Sequence, residues 1–490
     1  MDLSLYISPC AVTALAFIHL IAQIITIVVI LLETHSPAKA MAYILVVIVF
    51  PVLGMVFYYA VGVNYRHKKI KNKGVASARE FVEQFNLHLT DETKQLIQSH
   101  HAIIGQYTGL VHFIHNLGSE RLSKNEFKLL VNGEEKFPDV LENLEKARRF
   151  IHMEYYAWEN DIRGNQIKDI LLRKVKEGVA VRVLYDAYAS RKIRKNIVKE
   201  LEQGGVEIHP VIKLKFVNLA NRVNHRDHRK IIIIDGMIGY VGGINVSDRY
   251  DNSIDTGLYW RDTHVRITGP AVLSLQRYFL ISWNAAQNKV QGFDVDRFPE
   301  ADTMNPEGLE LAQVIGGGPI YPMSNIMLTY FRIFSMAQSK LYITNPYFIP
   351  SDSILDAMKQ AAISGVDVRL MLPEKSDSAI VGAASRFYFM ELLQAGVKIY
   401  LYKKGFVHAK TVVSDTRLSV VGTANLDIRS FDLNFEIMPV IYGENFARQL
   451  EEVYMKDLLD CSEVFYNDWR KIGIGKLILY AAARLISSFL

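Results

Sequence analysis

Two long apolar runs open the chain and predict membrane-spanning helices. Residues 10–32 and 40–63 contain no Lys, Arg, Asp or Glu. Each run reaches the ~20 residues that a helix needs to cross a hydrocarbon core of about 30 Å. A cleaved signal peptide is the alternative, because "AKA" at 38–40 resembles a cleavage site. It is disfavoured because no Lys or Arg precedes the first run and the run is too long. We therefore predict a two-helix transmembrane hairpin over residues 1–66.

The charges beside the second run predict its orientation. The loop at 33–39 has one lysine, whereas "RHKKIKNK" at 66–73 has one arginine and four lysines. Under the positive-inside rule, the second run leaves the membrane on the cytoplasmic side. We expect a multi-pass protein of the cell membrane with everything after residue 66 in the cytoplasm. The two cysteines, Cys10 and Cys461, agree because they form no evident disulfide framework.

The rest of the chain predicts a duplicated α/β fold. Residues 67–125 have the pattern of a basic and helical connector. After it, apolar strand segments alternate with amphipathic helices, first over 126–315 and again over 320–470. We interpret the intervening "GGGP" at 316–319 as a linker between the halves, because it lacks the Lys and Ser/Thr of a phosphate loop.

Composition limits the class of partner. With 490 residues, 50% of them hydrophobic, the chain is long enough for more than one packed domain. The formal net charge of +5 suits a protein beside anionic lipid, and would equally suit nucleic acid. However, no basic run has the interleaved aromatics that grip single strands. We therefore expect a lipid bilayer and no nucleic acid as partner, and the sequence leaves open whether the chain forms a homo-oligomer.

One short pattern occurs in both halves. "HRDHRKIIIIDG" at 225–236 and "GFVHAKTVVSD" at 405–415 share H-x-K-x4-D, with each residue pair offset by 180 positions. A single such segment is equally well explained as a core strand with a polar start. The offset continues into "GGIN" at 242–245 and "GTAN" at 422–425, so an accident would have to occur twice. The pattern indicates two equivalent sets of functional side chains.

These sets suit phosphate chemistry. A strand places His228 and Lys230 on one face, Lys and Asn donate to phosphate oxygens, and His acts as a nucleophile or moves protons. If the halves pack about a pseudo-twofold axis, both sets meet in one pocket. One histidine would attack phosphorus, forming a phosphohistidine, while the other would protonate the leaving alcohol. No metal or other cofactor is required, because the chain has no H-E-x-x-H motif or cysteine pair.

At these residues the sequence resembles the phospholipase D superfamily and, within it, the bacterial cardiolipin synthases. The segments "GFVHAK", "GTANLDIRSFDLNFE", "TNPYFIP" and "WRDTHVRITGP" carry the resemblance, together with the N-terminal hairpin. It implies duplicated α/β/α halves and transfer of a phosphatidyl group from one phosphatidylglycerol to another, giving cardiolipin and glycerol. The implied catalytic residues are His228, Lys230, Asp235, His408, Lys410 and Asp415, with Asp262 and Glu436 orienting the histidines and Asn245 and Asn425 in support.

Other functions compete for the same site. A hydrolytic phospholipase D would pass the group to water, and a phosphatidylserine synthase would pass it to serine. A superfamily nuclease is disfavoured by the hairpin, and a non-enzymatic phosphate binder by the completeness of both motifs. The chain departs from the family in one respect: Asp227 stands where asparagine is frequent, and we expect it to raise the pKa of the adjacent histidine.

The C-terminal residues 471–490 predict an amphipathic helix. Apolar residues recur there at spacings of three and four, and the charges are Lys471, Lys476 and Arg484. Cations beside an apolar stripe favour a helix on an anionic membrane surface. A helix that closes the core of the second half is the alternative. A third span is disfavoured because Lys476 and Arg484 shorten the uncharged stretch.

Overall fold

The computed structural model describes residues 9–34, 36–62, 90–118, 120–211, 225–287 and 310–487. The chain divides into an N-terminal unit, which contains residues 9–62, and a larger body, which contains residues 90–118 and nearly everything after them. Residues 67–89 of the predicted connector lie outside the described residues, and its described remainder is mostly helical.

The N-terminal unit corrects one prediction. Its helices are α1 (Pro9–Glu33), α2 (Pro37–Val49) and α3 (Pro51–Phe57), followed by a π-helical turn at Tyr58–Gly62. Among the described residues, α1 is the one helix long and apolar enough to cross a membrane. The predicted second span at 40–63 is not one continuous helix. It breaks at Phe50, because Pro51 has no backbone N–H to continue the hydrogen-bond ladder, and α2 alone has only 13 residues.

The larger body is built from strands that alternate with helices. Its strands are β1 (Ser123–Val131), β2 (Phe150–Tyr155), β3 (Ala180–Tyr185), β4 (Glu207–Pro210), β5 (Arg226–Asp227), β6 (Lys230–Ile234), β7 (Ile238–Gly242), β8 (Trp260–Arg261), β9 (Thr263–Thr268), β10 (Glu310–Gly317), β11 (Lys340–Thr344), β12 (Phe348–Ile349), β13 (Asp367–Pro373), β14 (Lys398–Tyr402), β15 (Phe406–Val407), β16 (Thr411–Ser414), β17 (Leu418–Val421), β18 (Leu426–Asp427), β19 (Asn434–Tyr442) and β20 (Cys461–Val464). Its helices are α4 (Thr90–Ser99), α5 (His101–Ile104), α6 (Thr108–Gly118), α7 (Asn132–Glu145), α8 (Ile162–Lys176), α9 (Ile197–Gln203), α10 (Ala271–Gln287), α11 (Asn325–Met336), α12 (Asp352–Ile363), α13 (Ala379–Phe387), α14 (Phe389–Gln394), α15 (Ile428–Asp432), α16 (Glu444–Leu458), α17 (Tyr466–Trp469) and α18 (Ile474–Ser487).

Both halves contribute to one large sheet. Its order is β20-β14-β13-β11-β16-β17-β19-β10-β1-β9-β7-β6-β2-β3-β4, with β5 paired to β19 beside this row. From the antiparallel β1–β10 pair outward, the first half runs β1-β9-β7-β6-β2-β3-β4 and the second runs β10-β19-β17-β16-β11-β13-β14. From β1 to β4 and from β10 to β14, each strand of one half thus has a counterpart at the same place in the other, while β20 extends the second half by one strand. The predicted α/β fold with a duplicated domain is confirmed.

The glycine-rich segment at 316–319 is not a linker. Gly316 and Gly317 are the last residues of β10, which pairs with β19. A Cβ on Gly316 would lie 2.3 Å from Cε1 of Tyr278, so the strand needs a residue without a side chain there. The sheet of the second half therefore begins with β10, before the predicted boundary at residue 320.

The isoleucines of the first motif pack in two hydrophobic cores. Ile232 and Ile234 pack in the core of the first half, while Ile231 and Ile233 pack in a core that both halves share. This alternation is what a strand imposes on a fully buried segment. It anchors β6 on both faces and holds the polar residues before it in place.

The C-terminal helix α18 packs against the second half on one side and is exposed on the other. Ala483 of α18 is buried in the core of the second half, and the Arg484 guanidinium lies 4.5 Å from the centre of the Phe387 ring on α13. Ile474 and Ile478 remain 73% and 63% exposed. The core-closing alternative therefore holds for part of the helix, while the predicted membrane contact of the exposed part stays a prediction.

Candidate active site

The backbone around each motif histidine is held by the other half of the chain. β5, which precedes His228, pairs with β19, and the His228 N–H donates to the Phe435 carbonyl at 3.0 Å. In the second half, β15 pairs with β8, and the His408 N–H donates to the Arg261 carbonyl at 2.7 Å. Phe435 and Arg261 each precede one of the predicted orienting acids. Each of these short strand pairs therefore joins one strand from each half.

The side chain of each motif histidine also contacts the opposite half. His228 Nδ1 lies 3.0 Å from Oε1 and 3.1 Å from Oε2 of Glu436. His408 Nδ1 lies 2.7 Å from Oδ2 of Asp262. Both acids are fully buried, and both histidines are more than nine-tenths buried. Each histidine is therefore oriented by an acid from the opposite half.

Burial sets the protonation of these pairs. Burial lowers the pKa of His408 to about 3 and also lowers the pKa of His228, so both imidazoles are neutral at pH 7. Burial opposes ionisation of Asp262 and Glu436, but the contacts with the histidine rings and the nearby lysine charges outweigh it and lower their pKa values. A neutral imidazole that donates its Nδ1–H to a carboxylate keeps its lone pair on Nε2.

The two motif lysines lie beside the histidines. Lys230 Nζ donates to the His228 carbonyl at 2.6 Å, and Lys410 Nζ donates to the His408 carbonyl. Burial lowers the pKa of Lys230 to about 7 and that of Lys410 to about 8. The charge of Lys410 further lowers the pKa of Lys230, because both ammonium groups act within one buried region. Such a region favours an anion.

The two asparagines are used differently. Asn245 Nδ2 donates to the Tyr250 hydroxyl at 2.6 Å, and its Oδ1 accepts from the Ala157 N–H at 3.2 Å. Asn425 donates its backbone N–H to Ser430 Oγ, while its buried Oδ1 has no hydrogen-bond partner among the described residues. One of the two Asn245 Nδ2 hydrogens is therefore engaged within the fold, and donation of the other to phosphate stays a prediction.

The two motif aspartates lie away from the histidines. Asp235 accepts backbone N–H bonds from Arg148, Arg149 and Phe150 at 2.7–2.9 Å. Asp415 accepts equivalent bonds from Gln338, Ser339 and Lys340 at 2.7–3.1 Å. Asp235 follows His228 by seven positions, which in an extended segment span roughly 20 Å. Both aspartates have positive φ, 55° and 54°, which an aspartate tolerates in a turn. The structure does not bring them into the pocket.

Asp227 behaves differently from the expectation. Burial, followed by the charge of Glu154, raises the pKa of Asp227 well above its ordinary value, which favours the neutral form of its carboxyl. Arg229 Nη1 lies 3.5 Å from Glu154 in the same buried cluster. The pKa of His228 is lowered rather than raised.

Sequence reasoning missed several neighbours of the histidines. The Tyr156 ring packs edge-on against His228 with centroids 4.8 Å apart, and Trp260 packs edge-on against His408 at 5.4 Å. Thr423 Oγ1 donates to Glu436 Oε2 at 2.5 Å. The buried Lys136 acts electrostatically on Asp262. Thr423 lies inside the "GTAN" turn and could have been found there, whereas no motif marked Lys136.

Comparison with known proteins covers both halves. A family model described as "Cardiolipin synthase, PLD-like domain" matches residues 140–278 and 330–458. A second model, "Phospholipase_D-nuclease N-terminal", matches residues 21–62. The crystal structure of phosphatidylserine synthase from Haemophilus influenzae superposes with a TM-score of 0.59 at 16% identity, over 78% of this chain and 100% of that chain. That likeness supports the fold alone.

Curated relatives match nearly the full length. "Cardiolipin synthase 2" of Bacillus anthracis is 39% identical over 463 residues, which are 94% of this chain and 89% of that protein. "Major cardiolipin synthase ClsA" of Bacillus subtilis is 37% identical over 484 residues, which are 97% of this chain and 98% of that protein. With both motif-bearing halves matched, the chain belongs to the phospholipase D-like family of bacterial cardiolipin synthases.

Proposed function

We propose that the protein is a cardiolipin synthase, which transfers the phosphatidyl group of one phosphatidylglycerol to the hydroxyl of a second and releases glycerol. One observation carries the proposal: two neutral imidazoles, each held through Nδ1 by a buried acid of the opposite half, share a region with two buried lysines. Synthase-type relatives of nearly the same length support the choice of acceptor.

In the first step, Nε2 of one histidine attacks phosphorus and forms a P–N bond. The glycerol oxygen leaves with a proton from Nε2 of the other histidine. Both imidazoles are neutral without substrate, so the donor must first take up that proton. The negative phosphodiester raises its pKa and makes this uptake favourable. The paired acid, Glu436 or Asp262, stabilises the imidazolium that results.

In the second step, the hydroxyl of the second lipid attacks the phosphohistidine. The histidine that protonated glycerol now removes the hydroxyl proton, the P–N bond breaks, and the first imidazole is restored. Lys230 and Lys410 hold the phosphate oxygens, since an anion between them favours their protonated forms. Asp235 and Asp415 take a structural role in this proposal, because their carboxylates tie the turns at the far ends of β6 and β16.

We also propose a membrane arrangement. α1 is the span, and α2 with α3 forms the returning arm of a hairpin; the Gln23 side chain on α1 donates to the Val47 carbonyl on α2 at 3.0 Å. The basic segment at 66–73 supports a cytoplasmic catalytic body. The matching strand orders support a pseudo-twofold axis between the halves. The exposed Ile474 and Ile478 support contact of α18 with the lipid surface.

The test uses purified full-length protein in detergent with phosphatidylglycerol as sole phospholipid. Cardiolipin and glycerol should appear in equal amounts, measured by mass spectrometry and an enzymatic glycerol assay. His228→Ala and His408→Ala should each abolish synthesis, because each removes either the nucleophile or the proton carrier. Phosphatidic acid as the main product would show a hydrolase instead. Near-normal synthesis by either variant would refute the shared pocket.

A further inference from the structure

Asn132, where β1 ends and α7 begins, has an unusual backbone conformation. Its φ is 62°, in the left-handed region that glycine adopts freely and most other residues avoid. The residue is also buried, with 4% of its surface exposed. The fold therefore accepts some backbone strain at a position where glycine would have none, which points to a use for the side chain.

This side chain contacts the backbone of Asp262, the acid paired with His408. The Asn132 N–H donates to the Asp262 carbonyl at 2.9 Å, and the Asp262 N–H donates to Asn132 Oδ1 at 2.9 Å. Arg261 Nη1 also donates to the Asp262 carbonyl. Loss of the Asn132 amide would therefore leave the carbonyl with a partner but remove the acceptor of the buried N–H.

The same amide contacts the residue on the other side of β8. Asn132 Nδ2 donates to the Tyr259 hydroxyl at 3.1 Å. Tyr259 directly precedes β8 and Asp262 directly follows it, and β8 pairs with β15, the strand that leads to His408. One asparagine side chain therefore contacts both flanks of the segment that places His408 and its acid.

The second half positions its acid in a different way. Thr423 Oγ1 donates to Glu436 Oε2 at 2.5 Å. The residue 180 positions before Thr423 is Gly243, and a Cβ on Gly243 would lie 2.1 Å from Asp262 Oδ1. A hydroxyl-bearing side chain at that position thus has no room beside Asp262.

The place of Asn132 differs between the halves as well. β1 and β10 are counterparts, and the last residue of β10, Gly317, pairs with Glu436. The second half has a glycine there and no side-chain amide. A threonine hydroxyl thus contacts the carboxylate of Glu436, whereas an asparagine amide contacts the backbone of Asp262.

We propose that Asn132 is a positioning residue, which acts through Asp262 on His408. The inference rests on the proposed function, in that His408 takes part in the transfer. Asp262 Oδ2 lies 2.7 Å from His408 Nδ1, so a small shift of the Asp262 backbone changes the contact that orients the imidazole. Catalysis depends steeply on such placement.

The test measures kcat, KM and melting temperature of the full-length protein in detergent with labelled phosphatidylglycerol. Asn132→Gly removes the amide and adopts positive φ without strain, whereas Asn132→Ala removes the same amide and adds strain. Both variants should lose roughly 10- to 100-fold in kcat, with KM within about twofold of wild type. The alanine variant should melt at a lower temperature than the glycine variant at an equal kcat, because strain affects stability alone.

The matched control is Asn143→Ala. Asn143 is a second buried asparagine of α7, and its Nδ2 donates to the Tyr240 hydroxyl at 2.9 Å. Its replacement should lower the melting temperature and leave kcat unchanged, since it has no contact with Asp262.

A double-mutant comparison tests whether Asn132 acts through Asp262. In an Asp262→Asn background, Asn132→Gly should lower kcat by less than about twofold, because the carboxylate that it positions is already absent. In a Thr423→Val background the full loss should persist, because Thr423 contacts the acid of the other histidine.

Two outcomes would overturn the inference. One is a kcat that follows the melting temperature across the three asparagine variants, and the other is an undiminished loss in the Asp262→Asn background. Release of phosphatidic acid instead of cardiolipin by wild type would overturn the proposed acceptor alone. The same comparison, followed through phosphatidic acid, would then decide the role of Asn132.

Discussion

Replacement of Lys136 by methionine should stabilise the protein and slow it. Lys136 lies on α7 and is fully buried, and its Nζ has no hydrogen-bond partner among the described residues. The nearest compensation is from aromatic rings, with Nζ 4.2 Å from the centre of Phe137 and 5.2 Å from that of Tyr155. Burial lowers the pKa of Lys136 to about 7, although the charge of Asp262 partly opposes this.

The magnitude follows from the two pKa values. With 10.5 in the unfolded chain and about 7 in the folded protein, the buried ammonium costs about 5 kcal/mol of folding free energy well below pH 7. The unfolded chain binds the extra proton between these values, so wild-type stability rises with pH over this window and the cost vanishes above it. At pH 8 the cost is still about 3 kcal/mol. Methionine fills similar space without a charge.

The assay follows thermal melting of purified protein in detergent from pH 6.5 to 9.5. The Lys136→Met variant should melt above wild type at low pH, and the difference should shrink as pH rises. The control is Lys146→Met. Lys146 is exposed, directly follows α7 and pairs with Glu142 of that helix. Its replacement should shift the free energy of unfolding by less than about 0.5 kcal/mol. Cardiolipin synthesis should fall about tenfold in Lys136→Met, since the ionised Asp262 that holds His408 loses a supporting cation.

Two results would refute this reasoning. A less stable variant at every pH would mean that Lys136 is a paired and stabilising cation. A stabilised variant with an unchanged kcat would separate Lys136 from the Asp262–His408 pair.

Three further predictions test the assignments. Asp235→Asn should lower the free energy of unfolding by about 1–3 kcal/mol, because a neutral amide accepts the three backbone N–H bonds more weakly. The kcat of this variant should stay nearly intact. An inactive variant with an unchanged melting temperature would show that Asp235 is catalytic. EDTA should leave turnover unchanged, since lysines carry the phosphate charge; a loss restored by one divalent ion would mean that the site is misassigned. Ile474→Glu with Ile478→Glu should weaken activity on bilayer vesicles more than on lipid in detergent micelles, and equal losses in both settings would contradict a membrane role for α18.

The duplication and the pairing of motif residues could be predicted from the amino-acid sequence alone. His228 and His408, with their lysines, lie at equivalent places at the start of β6 and β16, because an offset of 180 residues preserves both the apolar alternation and the polar residues before it. Strand periodicity also placed each histidine and lysine on a common face, since that depends only on residues two apart. Periodicity likewise predicted the helix at α18.

Predictions from the local sequence pattern were wrong where the backbone conformation depends on residues that are distant in the chain. Gly316 and Gly317 were interpreted as a linker, but they belong to β10. The Tyr278 ring occupies the space of a side chain at Gly316, and Ile326 occupies that space at Gly317. Asp235 shares a motif with His228, but the motif spans a whole strand and so joins its two ends rather than one site.

Which side chains meet across the two halves depends on tertiary packing. Glu436 pairs with His228, and Asp262 with His408, because the short strands before each histidine pair with the opposite half. The same packing buries Asp227 near Glu154, and burial together with the charge of Glu154 raises the pKa of Asp227. Such contacts join residues that are far apart in the chain, and burial shifts the pKa values of the side chains involved. Neither the partner nor the burial is encoded in the spacing of residues along one strand.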